Sequence, residues 1–287
     1  MQNNALRGIG LMCLAMTLLP VMNGFAKYLG EVYPVSQVIW ARYTGHLIFI
    51  ILVFMPRRGF ALFRTISLGS QVFRSFLLLA STVCYFTALQ YMPMATAAAI
   101  NFVTPFIVTG LSVPMLKEQV GPRRWIAIVI GFVGALIIIR PGFAGLHWSA
   151  LLVIGTAFFY ALFQVLTRRN AGQEDSGTTI FYTALVGTIA MCAVIPFYFV
   201  MPTEPIHWLL FLVMGPLGGM GHYFAIIAFR HAQVSVLAPF LYVQLIGATI
   251  FGYLYFGDFP DAMTWFGAAI IVVSGIYIAE REARTQG

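Results

Sequence analysis

Apolar stretches long enough to cross a bilayer follow one another along nearly the whole chain. A hydrocarbon core about 30 Å thick takes about 20 apolar residues of helix, and a lipid-exposed segment must satisfy its own backbone hydrogen bonds. Read against Pro, Gly and charge breaks, ten segments emerge: Leu6–Ala26, Ser36–Met55, Val72–Tyr91, Ala95–Leu116, Arg124–Ile139, Trp148–Thr167, Thr178–Val200, Ile206–Phe229, Val234–Phe256 and Met263–Ala279. They predict an all-α integral membrane protein with little chain left for loops or a soluble domain. Hydrophobic residues make up 60% of the chain and charged ones 9%, where a soluble domain carries about 25% charged.

The first run begins close to Met1 and is too long for the core of a signal peptide, so it reads as helix one. Cys13, Cys84 and Cys192 fall in three different segments without ligand spacing, and read as small apolar residues. A formal charge of +7 would suit nucleic acid, but its distribution gives another meaning. With the N-terminus inside, Arg7, Arg57, Arg58, Arg64, Arg74, Lys117, Arg123, Arg124, Arg168, Arg169, Arg230, Arg281 and Arg284 all lie on the cytoplasmic side, 13 of the 16 cations. Lys27 and Arg140 lie outside, and Arg42 lies within a segment. This bias predicts N-in, C-in topology, with the inner cations as topology signals and no nucleic-acid partner.

The chain matches itself weakly at an offset of 140 residues: Trp125 with Trp265, Ala88 with Ala228, and Glu118 with Asp258 in the turn before the last helix of each half. Five helices per half is odd, so the second half enters the membrane from the opposite side. Two units are expected, residues 1–143 and 144–287, as inverted-topology repeats, an architecture of many secondary transporters.

These residues carry a resemblance. The hairpin "ALQYMPMATAAAINFVTP" with its counterpart "AFRHAQVSVLAPF", and the acidic turns "LKEQVGPRRW" and "FGDFPDAMTW", resemble ten-helix EamA-type members of the drug/metabolite transporter superfamily. "NGFAKYLG" followed by "SQVIWARY" is similar to the branch that includes bacterial S-adenosylmethionine-uptake and riboflavin-uptake carriers. The resemblance implies a central cavity between helices one to four and six to nine. It places helices five and ten at the periphery or at a homodimer contact, and the protein in a bacterial inner membrane.

All nine acidic residues fall in loops or at helix ends. A cation carrier commonly uses an intramembrane carboxylate, so exchange, facilitated diffusion or histidine-based proton coupling remain open. Arg42 is the sharpest residue. It lies about 9 Å into helix two at 1.5 Å per residue, where an Arg snorkels, pairs, or faces a wet cavity and binds a carboxylate or phosphate as a bidentate fork. His46 shares its face by i,i+4 spacing and reads as a packing residue or a titrating hydrogen-bond donor. Asn23 follows Pro20 in helix one, and Asn101 precedes Pro105 in helix four; each reads as an interhelical glue residue or as a cavity-lining amide beside freed carbonyls.

In the second half, Tyr160 and Gln164 share a face of helix six, and Tyr242 and Gln244 follow Pro239 in helix nine. His222 follows the glycines Gly218, Gly219 and Gly221, which read as close-packing positions or as a flexible segment. No P-loop, HExxH or GxSxG is present, so no enzyme activity and no cofactor are expected. The expected function is a secondary carrier for a small anionic or zwitterionic metabolite, with Arg42 on the anionic group and the other residues orienting it. An exporter of amino acids or amphiphiles, and a non-transporting receptor or scaffold, stand as rivals.

Overall fold

A computed structural model describes residues 2–117, 122–139, 148–170, 174–231, 240 and 243–285. Eleven α-helices are seen among them: α1 Gln2–Val32, α2 Val35–Arg58, α3 Leu68–Leu89, α4 Met94–Asn101, α5 Thr104–Leu116, α6 Pro122–Ile139, α7 Trp148–Arg169, α8 Ser176–Val194, α9 Pro205–His231, α10 Val243–Phe256 and α11 Ala262–Thr285. Short 3-10 turns follow α2 and α8, at Gly59–Phe63 and Ile195–Phe197. Among the described residues seven stretches are long and apolar enough to cross a membrane. Three shorter apolar helical stretches, Val129–Ile138, Val243–Phe256 and Ala262–Ser274, stand beside them. The protein is an all-helical, multi-pass membrane protein.

The fourth expected segment is one stretch but two helices. Pro105 has no N–H to give the Asn101 carbonyl, four residues back. That carbonyl instead accepts from the Thr104 hydroxyl at 2.6 Å, and the chain turns through Phe102 and Val103 between α4 and α5. Pro20 has no such effect, because α1 runs through it unbroken. The glycine-rich α9 is likewise continuous, so its glycines serve contact and not flexion. An added Cβ at Gly218 would meet the Met22 sulfur, at Gly219 the His46 ring, and at Gly221 the Leu19 side chain, all at under 3.0 Å.

Helices pair in a reciprocal pattern. α1 packs on α9 and α10, while α7 packs on α3 and on α4 with α5. α2 lies against both α8 and α9, and α3 against both α7 and α8. At the periphery α6 packs on α11, where Gly134 and Gly267 approach so closely that an added Cβ at Gly267 would stand 2.6 Å from the Gly134 carbonyl oxygen.

The helix ends gather into two layers. At one end Gln37 exchanges two 2.8 Å hydrogen bonds with the Val200 backbone, and the Tyr33 hydroxyl lies 2.8 Å from His207 Nδ1. Lys27 pairs there with Asp258 at 2.7 Å. At the other end Arg58 pairs with Asp175, and the Glu174 carboxylate accepts from the Thr65 hydroxyl and from the Ile66 and Ser67 N–H groups. Burial alone would raise the Glu174 carboxyl, but those donors, with the Gln71 amide, hold it below the usual carboxylate range.

Two cations depart from the expectation of loop charges. Lys27 is not in an outer loop but inside α1, buried and stacked over Phe256 at 4.5 Å as well as paired with Asp258. Arg74 lies within α3 and is 2% exposed. Its Nη2 donates to Gln71 Oε1 at 2.9 Å, to the Thr179 carbonyl at 2.8 Å and to Thr183 Oγ1 at 2.9 Å; Nη1 donates to Thr167 Oγ1 at 3.2 Å. The Phe163 ring covers the guanidinium at 4.9 Å. A buried cation survives when its donors are filled, and neutral oxygens of three helices fill these. Arg74 therefore ties α3 to α7 and α8 as well as carrying a charge.

Candidate functional site

Arg42 projects from α2 into the contact between α2, α3 and α9 and is 5% exposed. Its Nη1 donates to Thr82 Oγ1 on α3 at 2.6 Å, and Nη2 lies 3.2 Å from His222 Nε2 on α9. Thr82 Oγ1 is also 3.1 Å from the Tyr43 hydroxyl and donates to the Leu78 carbonyl at 2.9 Å. The rings of Tyr43 and Phe86 flank the guanidinium at 5.1 and 5.4 Å. Arg42 Nε is buried with no partner among the described residues. No carboxylate pairs with it among those residues either.

His46, one turn along α2, stacks on His222 with ring centroids 6.4 Å apart and planes 13° from parallel. Its Nε2 is buried without a partner among the described residues, as is the Thr44 hydroxyl. Room for this layer comes from glycine: Gly218 lets the Arg42 side chain lie against α9, and Gly219 lets His46 do so. Tyr160 on α7 stacks on Phe163 at 5.8 Å and lies within electrostatic reach of Arg42.

The structure thus brings the buried Arg42 and His46 and the partly buried His222 into one group, with Tyr160 within electrostatic reach of Arg42. Asn23 is buried in α1 beside Met22, whose sulfur abuts Gly218. Asn101 sits at the α4–α5 break, its Oδ1 accepting from the Thr104 hydroxyl at 3.2 Å. Gln164 and Gln244 are partly buried on α7 and α10. Tyr242 lies outside the described residues. Tyr43 and Thr82, which anchor Arg42, carry no distinctive sequence signal. Arg74, two residues past the expected start of its segment at Val72, reads as one more inner-side charge.

Two hollows lie elsewhere. One of about 620 Å³ runs along the outer face of α6 and α11, lined by Ile126, Ile130, Phe266, Ile270 and Val273. A second, of about 230 Å³, lies between α5 and α6 at Phe106 and Phe132. Their walls are almost wholly apolar and offer little with which to recognise a polar metabolite. The Arg42 layer, by contrast, holds buried polar atoms without a partner among the described residues.

The model of the EamA-like transporter family matches this sequence twice, over residues 6–140 and 147–279. The chain belongs to the EamA-like transporter family. Similar family relatives include an S-adenosylmethionine uptake transporter of Rickettsia prowazekii, 26% identical with 98% of this chain and 95% of the relative covered. A riboflavin transporter of Vibrio cholerae is 28% identical over 99% of this chain and 96% of its own length. A pseudopaline exporter of Pseudomonas aeruginosa is 29% identical, covering 95% of each chain. A solved crystal structure superposes with a TM-score of 0.71 at 16% identity, over 100% of this chain and 99% of that one, a likeness of fold. This EamA-like protein is a membrane transporter, not an enzyme, and a bacterial inner membrane suits it.

Proposed function

We infer that this EamA-like protein is a secondary carrier that moves a small anionic or zwitterionic metabolite by alternating access, with Arg42 receiving the anionic group. The carrying observation is the Arg42–His46–His222 layer: a buried guanidinium with neutral partners, one unpartnered N–H, and an unpartnered ring nitrogen beside it. A buried Arg with no carboxylate partner is costly in a membrane, and an incoming carboxylate or phosphate would relieve that cost through a bidentate fork. Asn23, Asn101, Tyr160, Gln164, Tyr242 and Gln244 would orient the rest of the molecule as the helices rearrange around it.

The carrier is read as ten spans, N-in and C-in, in two inverted halves, 1–143 and 144–287. Three observations support this. The family model matches each half once. The helix pairing is what exchange of the halves requires, α1 on α9 mirrored by α7 on α3 and α2 on α9 mirrored by α8 on α3. The inner basic residues Arg58, Arg64 and Arg74 share one end of the bundle with the α7–α8 turn. The outer faces of α6 and α11 are apolar and exposed, which suits lipid and leaves room for a homodimer through the fifth and tenth spans.

The test is thermal stabilisation of purified protein against a panel of organic anions, amino acids, S-adenosylmethionine and flavins, with Arg42→Gln alongside. A ligand of the native state raises the melting temperature by mass action. A charged hydrogen bond contributes about 1.5–3 kcal/mol, so the variant should bind an anionic hit roughly tenfold or more weakly. Unchanged affinity in Arg42→Gln would remove Arg42 from the site.

A further inference from the structure

Among the described residues no carboxylate lies in the middle of a helix; Glu31, Glu174, Asp175, Glu204, Asp258 and Asp261 sit at helix ends or in turns, and Glu280 and Glu282 in the last two turns of α11. A carrier that harvests an ion gradient needs a buried group that takes up and releases the ion. In this protein the arrangement that meets the need is the contact between Arg42 and His222.

A guanidinium has only donors. With Arg42 Nη2 3.2 Å from His222 Nε2, that nitrogen must be the acceptor, so the ring is neutral and its proton is on Nδ1, a tautomer assigned from the partner. A proton added at Nε2 would set N–H against N–H and place two cations about 3 Å apart, which the contact cannot survive. One lone pair therefore holds either the Arg42 hydrogen bond or a proton. An anionic group that takes the Arg42 fork frees that lone pair. His222 can then bind a proton and stand as a cation beside an anion. Anion and proton favour one another at this site and exclude the resting contact together.

The nearest other base is His46, whose Nε2 is without a partner among the described residues and is not held by Arg42, so its lone pair is not the one that the Arg42 contact opens and closes. α2 brings Arg42 and His46 to the His222 ring, the latter stacked on it. α1 turns Leu19 and Met22 towards the neighbouring Gly221 and Gly218; its cation Lys27 is engaged by Asp258, and its Cys13 lies beyond Leu19 towards the N-terminus. Tyr160 of α7 lies within reach of Arg42, and Tyr43 is occupied with Thr82.

We propose that His222 Nε2 is the proton-binding site of a proton-coupled transport cycle, loaded when the anionic group of the substrate draws the Arg42 guanidinium away. One proton travels with each anionic group, bound at His222 Nε2 on one side of the membrane and released from it on the other. The proposal rests on the carrier reading and adds its coupling ion and the atom that carries it.

The test needs no substrate. The full chain is reconstituted in liposomes, adsorbed on a solid-supported membrane, and acidified by a rapid step across the range in which histidine ordinarily titrates, about pH 7.5 to 5.5. Transient charge displacement is recorded. Arg42→Gln, which lacks the bond that occupies Nε2, should displace more charge than wild type at the same step. His222→Gln and the double variant Arg42→Gln/His222→Gln should fall to the level of protein-free liposomes. His207→Gln, at the outer end of α9, should behave as wild type. Melting curves in detergent identify any variant that has not folded, and if His222→Gln is lost that way, His222→Asn takes its place. Displacement in the His222 variants equal to their parents, or none in both wild type and Arg42→Gln, overturns the proposal.

Failure of the carrier reading shows separately. With Cys13, Cys84 and Cys192 replaced by alanine, Asn23→Cys and Gln244→Cys are probed with a membrane-impermeant thiol reagent. Labelled cysteines without charge displacement remove the proton site and keep the carrier; unlabelled cysteines count against the carrier itself.

Discussion

Gly45 of α2 and Gly215 of α9 meet backbone to backbone: a methyl group added at Gly45 would stand 3.1 Å from the Gly215 Cα, and one added at Gly215 would run into the Gly45 and His46 backbone. Backbone cannot step aside as a side-chain tip can, so the crossing admits nothing larger than hydrogen. The same crossing sets His46 against Gly219, so the helix contact and the polar layer are one construction.

Gly215→Ala should therefore be destabilising, by about 1–3 kcal/mol as for other overpacked cores, and should weaken ligand binding as α9 is pushed away from Arg42. Gly69→Ala is the contrast. Gly69 lies in α3 with open space where its Cβ would be, so alanine should be neutral or stabilise by up to about 1 kcal/mol. Melting temperatures of the two variants in one detergent check this; equal shifts would refute the account of the crossing.

Arg74 makes a second prediction. Its guanidinium fills four oxygen acceptors from α3, α7 and α8. Truncation to alanine leaves a cavity and strands the Gln71 carbonyl, and should cost about 2–5 kcal/mol. Arg74→Met refills the volume and removes the desolvated charge but strands the same acceptors. Thermal unfolding should rank wild type first, Arg74→Met between and Arg74→Ala lowest. An alanine variant as stable as wild type would mean that the cluster adds nothing to the packing of α3.

Much of this was legible in the sequence, and the exceptions share a cause. Apolar run length located the long helices because lipid leaves the backbone no other partner. The i,i+4 spacing of Arg42 and His46 placed them on one face, as found. Partners across helices were not legible: that His222 would meet Arg42, or that Thr82 would anchor it, depends on the rotation and crossing of α2, α3 and α9, which glycines such as Gly215 and Gly219 set. Lys27 and Arg74 read as loop charges because positive-inside bookkeeping assigns a cation to a side without seeing a buried partner. The break after Asn101 was signalled by Pro105, but Pro20 gave a like signal and left α1 whole. A proline shows that a helix can break, and neighbours decide whether it does.

At the end of the bundle where α2 meets α8, Glu174 gives a pH prediction. The Glu174 carboxyl is held below its ordinary value of 4.5 by its donors, against the opposing effect of burial. A depressed folded value means that its contribution is present above 4.5 and fades as the pH falls through the lower value. Wild-type melting temperature should thus fall on acidification below pH 4.5, and Glu174→Gln should start lower and fall less steeply over that interval. Parallel acid limbs in the two proteins would show that the loop contact is not carried by the carboxylate.

At the opposite end, Lys27 and Asp258 join α1 to the turn before α11. The pair spans 2.7 Å, with side-chain exposures of 10% and 29%. Asp258→Asn leaves a buried ammonium with a neutral acceptor in place of its counter-charge and Phe256 over it, which should cost more than the loss of the Lys. Breaking a fully buried pair costs about 3–5 kcal/mol; the partial exposure of Asp258 brings the expectation nearer to about 1–3 kcal/mol. Lys27→Met with Asp258→Asn removes both charges and should recover part of the loss, giving a coupling of about 1 kcal/mol or more in a double-mutant cycle. If the carrier opens at this end, the stabilised pair also slows opening, so the single variants should label faster with a thiol reagent at Asn23→Cys. Additive effects on stability together with unchanged labelling would reduce the pair to a surface contact.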